Sequence, residues 1–443
     1  MSLRRDERLF LGMYQFGMNV FLPIGLIALS PILLLKRKRR TTLFPRLGFQ
    51  RFPEAVSSKS GTAQGNEKVL WIHALSVGEV LSAAPLIREL HSQIKPAKLY
   101  VSVSTLSGYE TAGVQLKGSL DGLFYFPLDL LFAVRRCVAN VQPSMFVLVE
   151  TDIWPGFMAE LRRRGIPSFL VNGRLSPSSF KRYGQAKRLF SPALNTFWRV
   201  YPQSSSDAES FRKLGVNPKK LADPGNLKFD AAKTASSPAR LEQLRAKLAI
   251  QKGERVLVAG STHEGEEEIL RTVFFQLRQS IPRLKLIVAP RHPHRAEEVR
   301  QVFIRDPFQV FFYSSLPQES FDVAVVDEFG VLSSLYEFGD LAYVGGSLVP
   351  KGGQNPVEPA AAGKPVLFGP DMSDFPDIAD LMLKKGGAIQ VKNGEELTEQ
   401  GYRLLSDSAL SADLGAKNKA LVERHSGVTL KIVKDILECF LKA

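Results

Sequence analysis

One stretch sets the fold, Val69-Leu-Trp-Ile-His-Ala-Leu-Ser-Val-Gly-Glu79. Its first five residues favour a strand, and their apolarity is continuous rather than alternating, which predicts burial on both faces, as in a parallel sheet flanked by helices. A short turn follows, and a helical pattern runs from Val80 to His91. Strand, turn and helix in this order form the repeating unit of an open parallel α/β sheet.

The unit repeats along the chain in two series of similar length. The predicted strands of the first series are Val69–His73, Leu99–Val103, Leu123–Phe126, Met145–Val149, Ser168–Val171 and Arg199–Pro202. Those of the second series are Arg255–Ala259, Leu284–Ala289, Gln309–Tyr313, Asp322–Val326, Leu341–Val344 and Val366–Phe368. We therefore predict an α/β chain with two Rossmann-like domains joined near residue 230, with a ligand cleft between the carboxyl ends of their strands.

Composition limits the class of protein before any motif is considered. The chain has 443 residues, 44% of them hydrophobic and 23% charged, which excludes a disordered or collagen-like protein. The only cysteines, Cys137 and Cys439, exclude a disulfide scaffold and suit a reducing compartment. The net charge is +14, but residues 1–40 carry +6 of it, so the remainder is only moderately basic. No nucleic-acid partner is expected, because no recognition motif accompanies this charge.

The N-terminal segment predicts a membrane anchor. From Leu9 to Leu35 there are 27 residues without a charged side chain or a histidine, enough to span a bilayer. A cleaved signal peptide or a buried core helix would be the alternatives, but the run ends in the basic cluster Lys36–Arg40, not in a small-residue cleavage site. This flank predicts a single-pass transmembrane helix within residues 1–40, a cytoplasmic body, and contact with anionic lipids of the membrane.

Glu79 has two interpretations at the sequence level. It follows Ser76 by three positions at a helix start, which is the spacing of a capping box. Alternatively, it lies at the carboxyl end of a strand, facing the cleft, and acts as a general base on a substrate hydroxyl. Gly78 would then allow a substrate to approach the turn closely.

An acidic pair and a lysine are further candidates in the first part of the chain. Glu150 and Asp152 follow a predicted buried strand, where they could bind magnesium or cap the helix that begins at Pro155. Lys228 lies at the predicted domain junction, either as a solvated linker charge or as a cation that neutralises a leaving phosphate.

The second series carries three candidate anion-binding stretches. Residues 259–265 (Ala-Gly-Ser-Thr-His-Glu-Gly) join a strand to a helix without a P-loop lysine or a dinucleotide-binding glycine pattern. Arg291 follows the next strand and is suited to a phosphate. The Gly-rich loop, Gly345 to Gly353, leads through Asn355 into a small-residue helix. This loop could pass close to a phosphate, or be a purely structural turn, while Glu358 could accept hydrogen bonds from ribose hydroxyls.

Together these motifs resemble the 3-deoxy-D-manno-octulosonic acid (Kdo) transferases of lipopolysaccharide assembly. The resemblance extends over nearly the whole chain, with the motifs in the family's order. It is also carried by Glu150–Pro155 (ETDIWP), Asn172–Ser176 (NGRLS), Phe180–Tyr183 (FKRY), Gly225–Asp230 (GNLKFD) and Pro290–Pro293 (PRHP). It implies a GT-B architecture in which an acceptor domain (residues 41–229) faces a nucleotide-sugar domain (residues 230–443).

The resemblance also implies roles for individual residues. Glu79 would be the proton acceptor, and Glu150 and Lys228 would stabilise the transition state. CMP would be bound by Pro290, Arg291, Phe329, Gly330, Val331, Asn355, Pro356, Val357 and Glu358. Two positions depart from the family's pattern. Phe329-Gly330-Val331 stands where Met-Gly-Glu is frequent, which removes a side-chain carboxylate, and Gly156 stands where asparagine is usual.

The resulting hypothesis is an inverting glycosyltransferase that moves Kdo from CMP-Kdo to a lipid A precursor of the lipid IVA type. It would act at the cytoplasmic face of the inner membrane. No metal ion or other cofactor is expected, because Lys228, Arg291 and helix N-termini would stabilise the departing CMP. The alternatives are another GT-B transferase that uses a UDP-sugar and a membrane-tethered anion-binding protein.

Overall fold

A computed structural model describes residues 4–28, 37–53, 68–233, 238–316 and 320–442. Contacts divide the chain into two compact units. The first comprises Met1–Ala231 together with Gly427–Ala443, and the second comprises Ala232–Ser426. Each unit contains one parallel sheet with helices packed on it, which confirms the prediction of two Rossmann-like domains.

The first unit is built on a six-stranded sheet in which every pairing is parallel. Its strands are β1 (Val69–His73), β2 (Lys98–Val103), β3 (Gly122–Tyr125), β4 (Met145–Val149), β5 (Ser168–Gly173) and β6 (Arg199–Pro202). Its helices up to the domain junction are α1 (Arg5–Ala28), α2 (Arg37–Arg46), α3 (Val77–Gln93), α4 (Leu106–Gln115), α5 (Leu131–Val141), α6 (Pro155–Arg163), α7 (Pro177–Gln185), α8 (Lys187–Leu194), α9 (Ser205–Lys213) and α10 (Leu227–Lys233). The order β3-β2-β1-β4-β5-β6 reverses between β1 and β4, and open sheets bind ligands beyond the carboxyl ends at such a point.

Strand β1 explains why the apolar runs do not alternate. All five of its side chains are buried. Trp71 packs on one face of the sheet, with Phe124, Phe146 and Phe157 at ring-centroid distances of 5.1–5.3 Å. Leu70 and Ile72 belong to the core on the other face, together with side chains of α3. A strand covered on both sides has no polar face to display.

The second unit is built on a seven-stranded parallel sheet in the order β13-β12-β11-β7-β8-β10-β9. Its strands are β7 (Arg255–Thr262), β8 (Leu284–Pro290), β9 (Val310–Phe312), β10 (Val323–Val325), β11 (Leu341–Val344), β12 (Val366–Phe368) and β13 (Ala388–Gln390). Its helices are α11 (Pro238–Leu248), α12 (Glu266–Ser280), α13 (Ala296–Phe303), α14 (Leu332–Leu335), α15 (Val357–Ala361), α16 (Pro376–Lys385), α17 (Gly394–Ser406) and α18 (Ser408–His425). The carboxyl ends of β7, β8 and β11 are adjacent, because β7 pairs with both of the others.

The twelve predicted strands are present, and their ends differ from prediction by at most three residues. Strand β13 was missed. It lies at the edge of the second sheet, and only the first of its three residues is buried. A short edge strand lacks the continuous apolar run that marked the others.

The last helix, α19 (Val428–Lys442), belongs to the first unit, although the sequence analysis assigned residues 230–443 to the second domain. Its buried residues Ile432, Ile436 and Phe440 join the same core as α3. The backbone N–H groups of Gly427 and Thr429 donate to Asp230, which holds the start of the helix on the first unit. The amphipathic pattern of a helix does not specify which of two domains buries its apolar face.

The predicted anchor is represented by α1. Over Arg5–Leu26 this helix is long and apolar enough to cross a bilayer, with a mean hydropathy of 1.4. Residues 29–35 of the predicted span lie outside the described residues. Signal sequences and core helices of soluble proteins can have the same length and apolarity. The helix is therefore a candidate membrane segment.

Candidate functional site

The Glu79 carboxyl group is held by the turn between β1 and α3. Ser76 occupies the N-cap of α3, but its side chain makes no capping hydrogen bond. Glu79 Oε2 instead accepts the backbone N–H of Leu75, just before the helix. The Glu79 side chain is 8% exposed. The turn therefore positions this carboxyl group without completing the capping box that the spacing suggested.

The electrostatic environment of Glu79 is unusual for a carboxyl group at a helix start. Burial, followed by the negative charge of Glu150, raises the pKa of Glu79 from 4.5 to about 9. Backbone N–H groups of Leu75 and Ser76 oppose this rise. At neutral pH the group is therefore mainly protonated. A strongly shifted carboxyl group at the carboxyl end of a sheet marks a candidate functional site.

Glu150 lies at the same edge of the sheet, because it directly follows β4, the neighbour of β1. Its backbone adopts a left-handed conformation with φ of 60°, which is unfavourable for a residue other than glycine. Glu150 Oε1 lies 3.9 Å from Lys228 Nζ and 3.5 Å from Gln203 Nε2. The Glu150 carboxylate thus lies beside a cation.

Lys228 is positioned by the first turn of α10. Asn172 Oδ1 accepts the N–H of Leu227 at 3.1 Å, and Asn226 Oδ1 accepts the N–H of Lys228 at 3.0 Å. The Lys228 side chain is only 14% exposed. It is therefore a partly buried partner of Glu150 and not a fully solvated linker charge. The structure brings together the three residues that the resemblance placed at the reaction centre, Glu79, Glu150 and Lys228.

Asp152 has a partner that the sequence analysis missed. His73, the last residue of β1, is fully buried, and its Nε2 lies 3.6 Å from Asp152 Oδ2. The His73 ring stacks on Phe126 at 3.9 Å, and its Nδ1 lies 2.9 Å from the carbonyl oxygen of Ser102. A histidine at the end of an otherwise apolar strand was the available signal. Among the described residues, no group of three or more His, Cys, Asp or Glu side chains is arranged to hold a metal ion.

Burial raises the pKa of Asp152, but the neighbouring His73 ring, the Trp154 indole and the positive charge of Arg46 outweigh burial. The pKa of Asp152 is consequently lower than usual. Asp152 is thus an ionised carboxylate near Glu79, and its charge also raises the pKa of Glu79. The two carboxyl groups have their pKa values shifted in opposite directions, which is the arrangement that separates acid and base roles in active sites.

Gly156, the position at which the family usually has asparagine, has a structural reason to lack a side chain. Its backbone N–H donates to Asp129 Oδ2 at 2.8 Å at the start of α6. A Cβ atom there would lie 2.7 Å from Asp129 Oδ1. The buried Asp129 carboxyl group therefore occupies the space that a side chain at position 156 would need.

In the second unit, the first half of the Gly-rich loop is already bound to a carboxylate of the protein. Glu266, the first residue of α12, is fully buried. It accepts five hydrogen bonds, from the backbone N–H groups of His263, Gly346, Ser347 and Leu348 and from the Tyr343 hydroxyl, at 2.6–3.1 Å. This part of the loop is a structural turn, as the alternative interpretation allowed. Its N–H groups therefore serve Glu266 and not a bound phosphate.

The predicted CMP residues after β8 and the Gly-rich loop do come together. Asn355 Nδ2 donates to Glu358 Oε1 at 3.1 Å, and Asn355 Oδ1 accepts the N–H of Val357 at 3.1 Å. Burial raises the pKa of Glu358, while the Asn355 hydrogen bond and the charge of Arg291 oppose the rise. Arg291 thus lies close enough to Glu358 to influence its ionisation. Pro290, which precedes Arg291 in the chain, and Pro356, which follows Asn355, are both buried.

The turn Phe329-Gly330-Val331 differs in character from this group. Phe329 is 75% exposed, and Val331 is buried at the start of α14. Gly330 adopts a φ of 76°, and its carbonyl oxygen accepts a hydrogen bond from Arg240 Nη2 at 3.0 Å. Only backbone atoms and the exposed Phe329 ring are available here for a ligand, in agreement with the loss of the family's carboxylate.

Solved structures with low sequence identity share this fold. The UDP-GlcNAc 2-epimerase from Neisseria meningitidis, bound to UDP-GlcNAc, aligns with a TM-score of 0.57 at 14% identity and covers 85% of this chain and 100% of that chain. Anabaena Alr3699/HepE in complex with UDP-glucose aligns with a TM-score of 0.55 at 15% identity, with the same coverage of 85% and 100%. At such identities the similarity establishes the fold alone, which is GT-B-like.

Sequence comparison is more specific. The family profile described as 3-Deoxy-D-manno-octulosonic-acid transferase (kdotransferase) matches residues 43–231. The 3-deoxy-D-manno-octulosonic acid transferase of Haemophilus influenzae is 32% identical over 377 residues, 84% of this chain and 87% of that protein. Its counterpart in Chlamydophila psittaci is 30% identical over 383 residues, 84% of this chain and 85% of that protein.

The fold and these relatives together define a glycosyltransferase of GT-B architecture. Within that class, the chain belongs to the 3-deoxy-D-manno-octulosonic acid transferase family.

Proposed function

We propose that this chain transfers Kdo from CMP-Kdo to a lipid A precursor of the lipid IVA type, in lipopolysaccharide synthesis. The observation that carries the proposal is the buried Glu79 carboxyl group beside the Glu150–Lys228 ion pair, at the carboxyl ends of β1 and β4. Membership of the Kdo transferase family supports the same reaction. The alternative of another GT-B transferase with a UDP-sugar donor has no comparable support from the sequence relatives.

In the proposed step, an acceptor hydroxyl oxygen attacks the anomeric carbon of Kdo, and its proton passes to the ionised Glu79. The bond between the anomeric carbon and the CMP phosphate oxygen breaks, and CMP leaves with the electron pair. Attack from the side opposite CMP inverts the configuration. A carboxylate with a pKa near 9 is a stronger base than an ordinary glutamate. At neutral pH only a small fraction of Glu79 is in this ionised form.

Glu150 and Lys228 are proposed to stabilise the transition state. Lys228 Nζ lies 3.9 Å from Glu150 Oε1, and its side chain is only 14% exposed, so water screens its charge less than that of a surface lysine. As negative charge develops on the departing phosphate, a fixed cation of this kind lowers its energy without having to reorganise. Glu150, whose Oε1 lies 3.9 Å from Lys228 Nζ, would hold the ammonium group in position.

For the donor, we propose that Arg291 binds the phosphate and that Glu358 binds the ribose hydroxyls. The proposal is supported by the Asn355–Glu358 hydrogen bond and by the influence of Arg291 on Glu358. Because the N–H groups of residues 346–348 are bonded to Glu266, phosphate binding would fall to Arg291 and not to the Gly-rich loop. Pro290, the turn Phe329-Gly330-Val331, Pro356 and Val357 would complete the CMP site.

The reaction is proposed to need no metal ion or cofactor. Lys228 and Arg291 would supply the positive charge that a divalent cation supplies in many nucleotide-sugar transferases. Asp152, which could ligate a metal, is paired with His73 instead. Chelation of divalent cations tests this part of the proposal and is considered in the Discussion.

The proposed location is the cytoplasmic face of the inner membrane, where a lipid A precursor is embedded by its acyl chains. The apolar helix α1 supports membrane association, and the basic flank at residues 36–40 favours the cytoplasmic side. Attachment to this face requires only that α1 contact the membrane, whether or not the helix crosses it.

The direct test is mass spectrometry of products formed by the purified full-length chain. The substrates are CMP-Kdo and a tetraacylated, bisphosphorylated lipid A precursor, with UDP-sugars as alternative donors and Glu79→Gln as the matched control. We expect one or more Kdo residues to be added from CMP-Kdo, and no transfer from the UDP-sugars. Transfer from a UDP-sugar alone would overturn the donor assignment, and no transfer to this lipid but transfer to another acceptor would overturn the lipid assignment.

A further inference from the structure

Helix α1 does not stand apart from the first unit but lies against it along one face. Tyr14 Oη donates to the buried Asp129 Oδ2 at 2.7 Å. Asn19 Oδ1 accepts the backbone N–H of Leu131 at 3.0 Å, so that α1 provides the side-chain cap of α5. Both contacts are specific polar bonds from the middle of a helix that was predicted to be surrounded by lipid.

The N-terminal half of α1 packs on α6 and α8. Leu11 lines a small cleft together with Pro155 and Ala159 of α6 and Leu189 of α8. The guanidinium group of Arg188, on α8, lies 5.3 Å from the centre of the Phe10 ring. The face of the first unit that receives α1 therefore contains charged as well as apolar side chains.

The opposite face of α1 is apolar and uncovered. Leu9, Met13, Phe16 and Ile24 are 59–65% exposed. At roughly 100° per residue they fall on one side of the helix, opposite Leu11. A helix with one face docked on protein and the other rich in Leu, Met and Phe has the pattern of a helix that lies in a membrane interface.

The first unit exposes three further phenylalanine side chains. Phe44, Phe49 and Phe132 are 48–60% exposed. Phe132 immediately follows Leu131, to which Asn19 of α1 is bonded, and the Arg136 guanidinium lies 5.7 Å from the Phe49 ring. Aromatic side chains interleaved with exposed arginines favour a surface of anionic headgroups over apolar acyl chains.

The docked arrangement is incompatible with a helix that crosses the bilayer. The 24 residues of α1 extend over about 36 Å, slightly more than the ~30 Å hydrocarbon core. If α1 crossed that core, Asp129 and Arg188 would be carried into it with the helix, since both contact its middle and N-terminal half. Charged groups at the centre of a bilayer are energetically costly, which disfavours this placement.

We propose that α1 lies in the plane of the cytoplasmic leaflet, docked on the first unit, and does not span the membrane. Leu9, Met13, Phe16 and Ile24 enter the boundary between headgroups and acyl chains of a phospholipid leaflet. Arg40, Arg51 and Arg136, all exposed, contact its anionic headgroups. The inference concerns attachment and does not depend on the proposed transfer of Kdo.

The arrangement also links the membrane surface to the candidate active site. Asp129, the partner of Tyr14, accepts the N–H of Gly156 at the start of α6. The loop before α6 carries Glu150 and Asp152. A helix fixed in the leaflet thereby holds the edge of the sheet with these carboxylates at a set distance from the membrane.

The decisive experiment labels cysteines from one side of the membrane. Arg5→Cys and Arg51→Cys are made in the full-length chain with Cys439→Ser, which leaves only the buried Cys137. Inside-out inner-membrane vesicles are treated with a membrane-impermeant maleimide before and after detergent. We expect the two cysteines to be labelled to within twofold of each other without detergent. A spanning helix places residue 5 on the far side, and labelling of Arg5→Cys below one tenth of Arg51→Cys until detergent is added would overturn the proposal.

Flotation with vesicles provides a second, independent measurement. Phe16→Glu is compared with the matched control Phe275→Glu, which also alters an exposed phenylalanine but in the second unit. On vesicles of phosphatidylethanolamine and phosphatidylglycerol, we expect at least a tenfold loss of the bound fraction for Phe16→Glu and less than twofold for the control. Equal binding of the two variants, or equal wild-type binding to vesicles of phosphatidylcholine alone, would contradict the proposed surface. Neither measurement uses CMP-Kdo, so its failure is separate from a failure of the proposed function.

Discussion

Glu79 and Glu266 occupy corresponding places in the two units but have opposite environments. Each lies in the first turn of the helix that follows the first strand of its sheet, β1 or β7. Glu266 accepts five hydrogen bonds and is completely buried. Glu79 accepts backbone N–H groups just before its helix and faces the negative charge of Glu150, which helps to raise its pKa to about 9.

The difference indicates how one local motif serves two purposes. A carboxylate whose oxygens are saturated by donors stabilises a loop and is chemically inert, because its charge is already neutralised by fixed dipoles. A buried carboxylate with few donors and an anionic neighbour is poised to bind a proton. The number of hydrogen-bond donors around the carboxyl group, and not its position at the helix start, therefore distinguishes a structural glutamate from a catalytic one.

The substitution Glu79→Gln tests whether Glu79 has a catalytic role that Glu266 lacks, and it should have the largest effect. Gln retains an oxygen that accepts the N–H of Leu75, so the turn should persist, but it cannot take the proton of an acceptor hydroxyl. We expect turnover to fall by roughly 10²–10⁴, with CMP affinity and the melting temperature at pH 5 close to wild type. Turnover, CMP binding and melting are measured on the same preparation. Turnover near the wild-type level would remove Glu79 from the mechanism.

For Glu266→Gln we expect a loss of stability, in contrast to the loss of turnover expected for Glu79→Gln. In the variant, an amide NH2 group replaces one carboxylate oxygen of Glu266, so some of the backbone N–H groups around it lose their acceptor. Each buried N–H donor left without an acceptor costs about 1–3 kcal/mol. We expect a loss of stability of about 3 kcal/mol, seen as a fall of roughly 10 °C in melting temperature. Thermal melting of Glu266→Gln beside Glu79→Gln measures the contrast. Equal melting temperatures would show that the Gly-rich loop does not depend on this carboxylate.

The pH dependence of kcat/KM examines the raised pKa itself. Because the base must be ionised, kcat/KM should rise about tenfold per pH unit from pH 6 to 8 and level off near pH 9. Glu150→Gln removes the like charge beside Glu79, so the rise should move to lower pH even if the maximal rate falls. A profile that is flat from pH 6 to 9 in the wild type would contradict the protonated state of Glu79.

The same shift predicts a stability effect with a definite sign. The folded pKa of Glu79 lies above the unfolded value of 4.5, so the protonated folded state is favoured at low pH and its advantage is lost as the pH rises towards 9. Glu79→Gln has no such dependence. We therefore expect the melting temperature of Glu79→Gln, relative to wild type, to increase from pH 5 to pH 8. A constant difference over this range would place the pKa of Glu79 near its ordinary value.

The smallest expected effect is that of chelation. If Glu150 is the partner of Lys228 and Asp152 that of His73, neither carboxylate is needed as a metal ligand. Excess EDTA should leave turnover within twofold of the untreated enzyme, measured with the same CMP-Kdo assay. A loss of activity that magnesium restores would return Glu150 and Asp152 to the role of ligands.

Much of the fold followed from local sequence. Continuous apolar runs identified twelve strands, because a strand buried on both faces has no polar positions. The candidate residues Glu79, Glu150 and Arg291 were found because they follow such runs, and the carboxyl ends of parallel strands meet at one edge. The end strand β13 and the pairing of His73 with Asp152 were not found, since neither leaves a periodic signal.

Long-range packing decided what local patterns left open. The sequence analysis assigned α19 to the second domain, but the first unit buries the apolar side chains of this helix. The long apolar N-terminal segment was evident, yet the hydrogen bond between Tyr14 and Asp129 joins residues 115 positions apart and gives α1 a docked face. The space beside Gly156 is filled by Asp129, which is distant in sequence.

The sequence by itself determined the two-domain parallel architecture, the family and the carboxyl-terminal strand edges at which the candidate residues lie. Tertiary structure alone decided which of those residues are chemically available. Glu266 and Glu79 are indistinguishable as helix-start glutamates, but the donors that saturate Glu266 include Gly346, Ser347 and Leu348, 80 to 82 positions away. The charge state of a buried group depends on every dipole and charge around it, and most of those come from parts of the chain that only folding brings near.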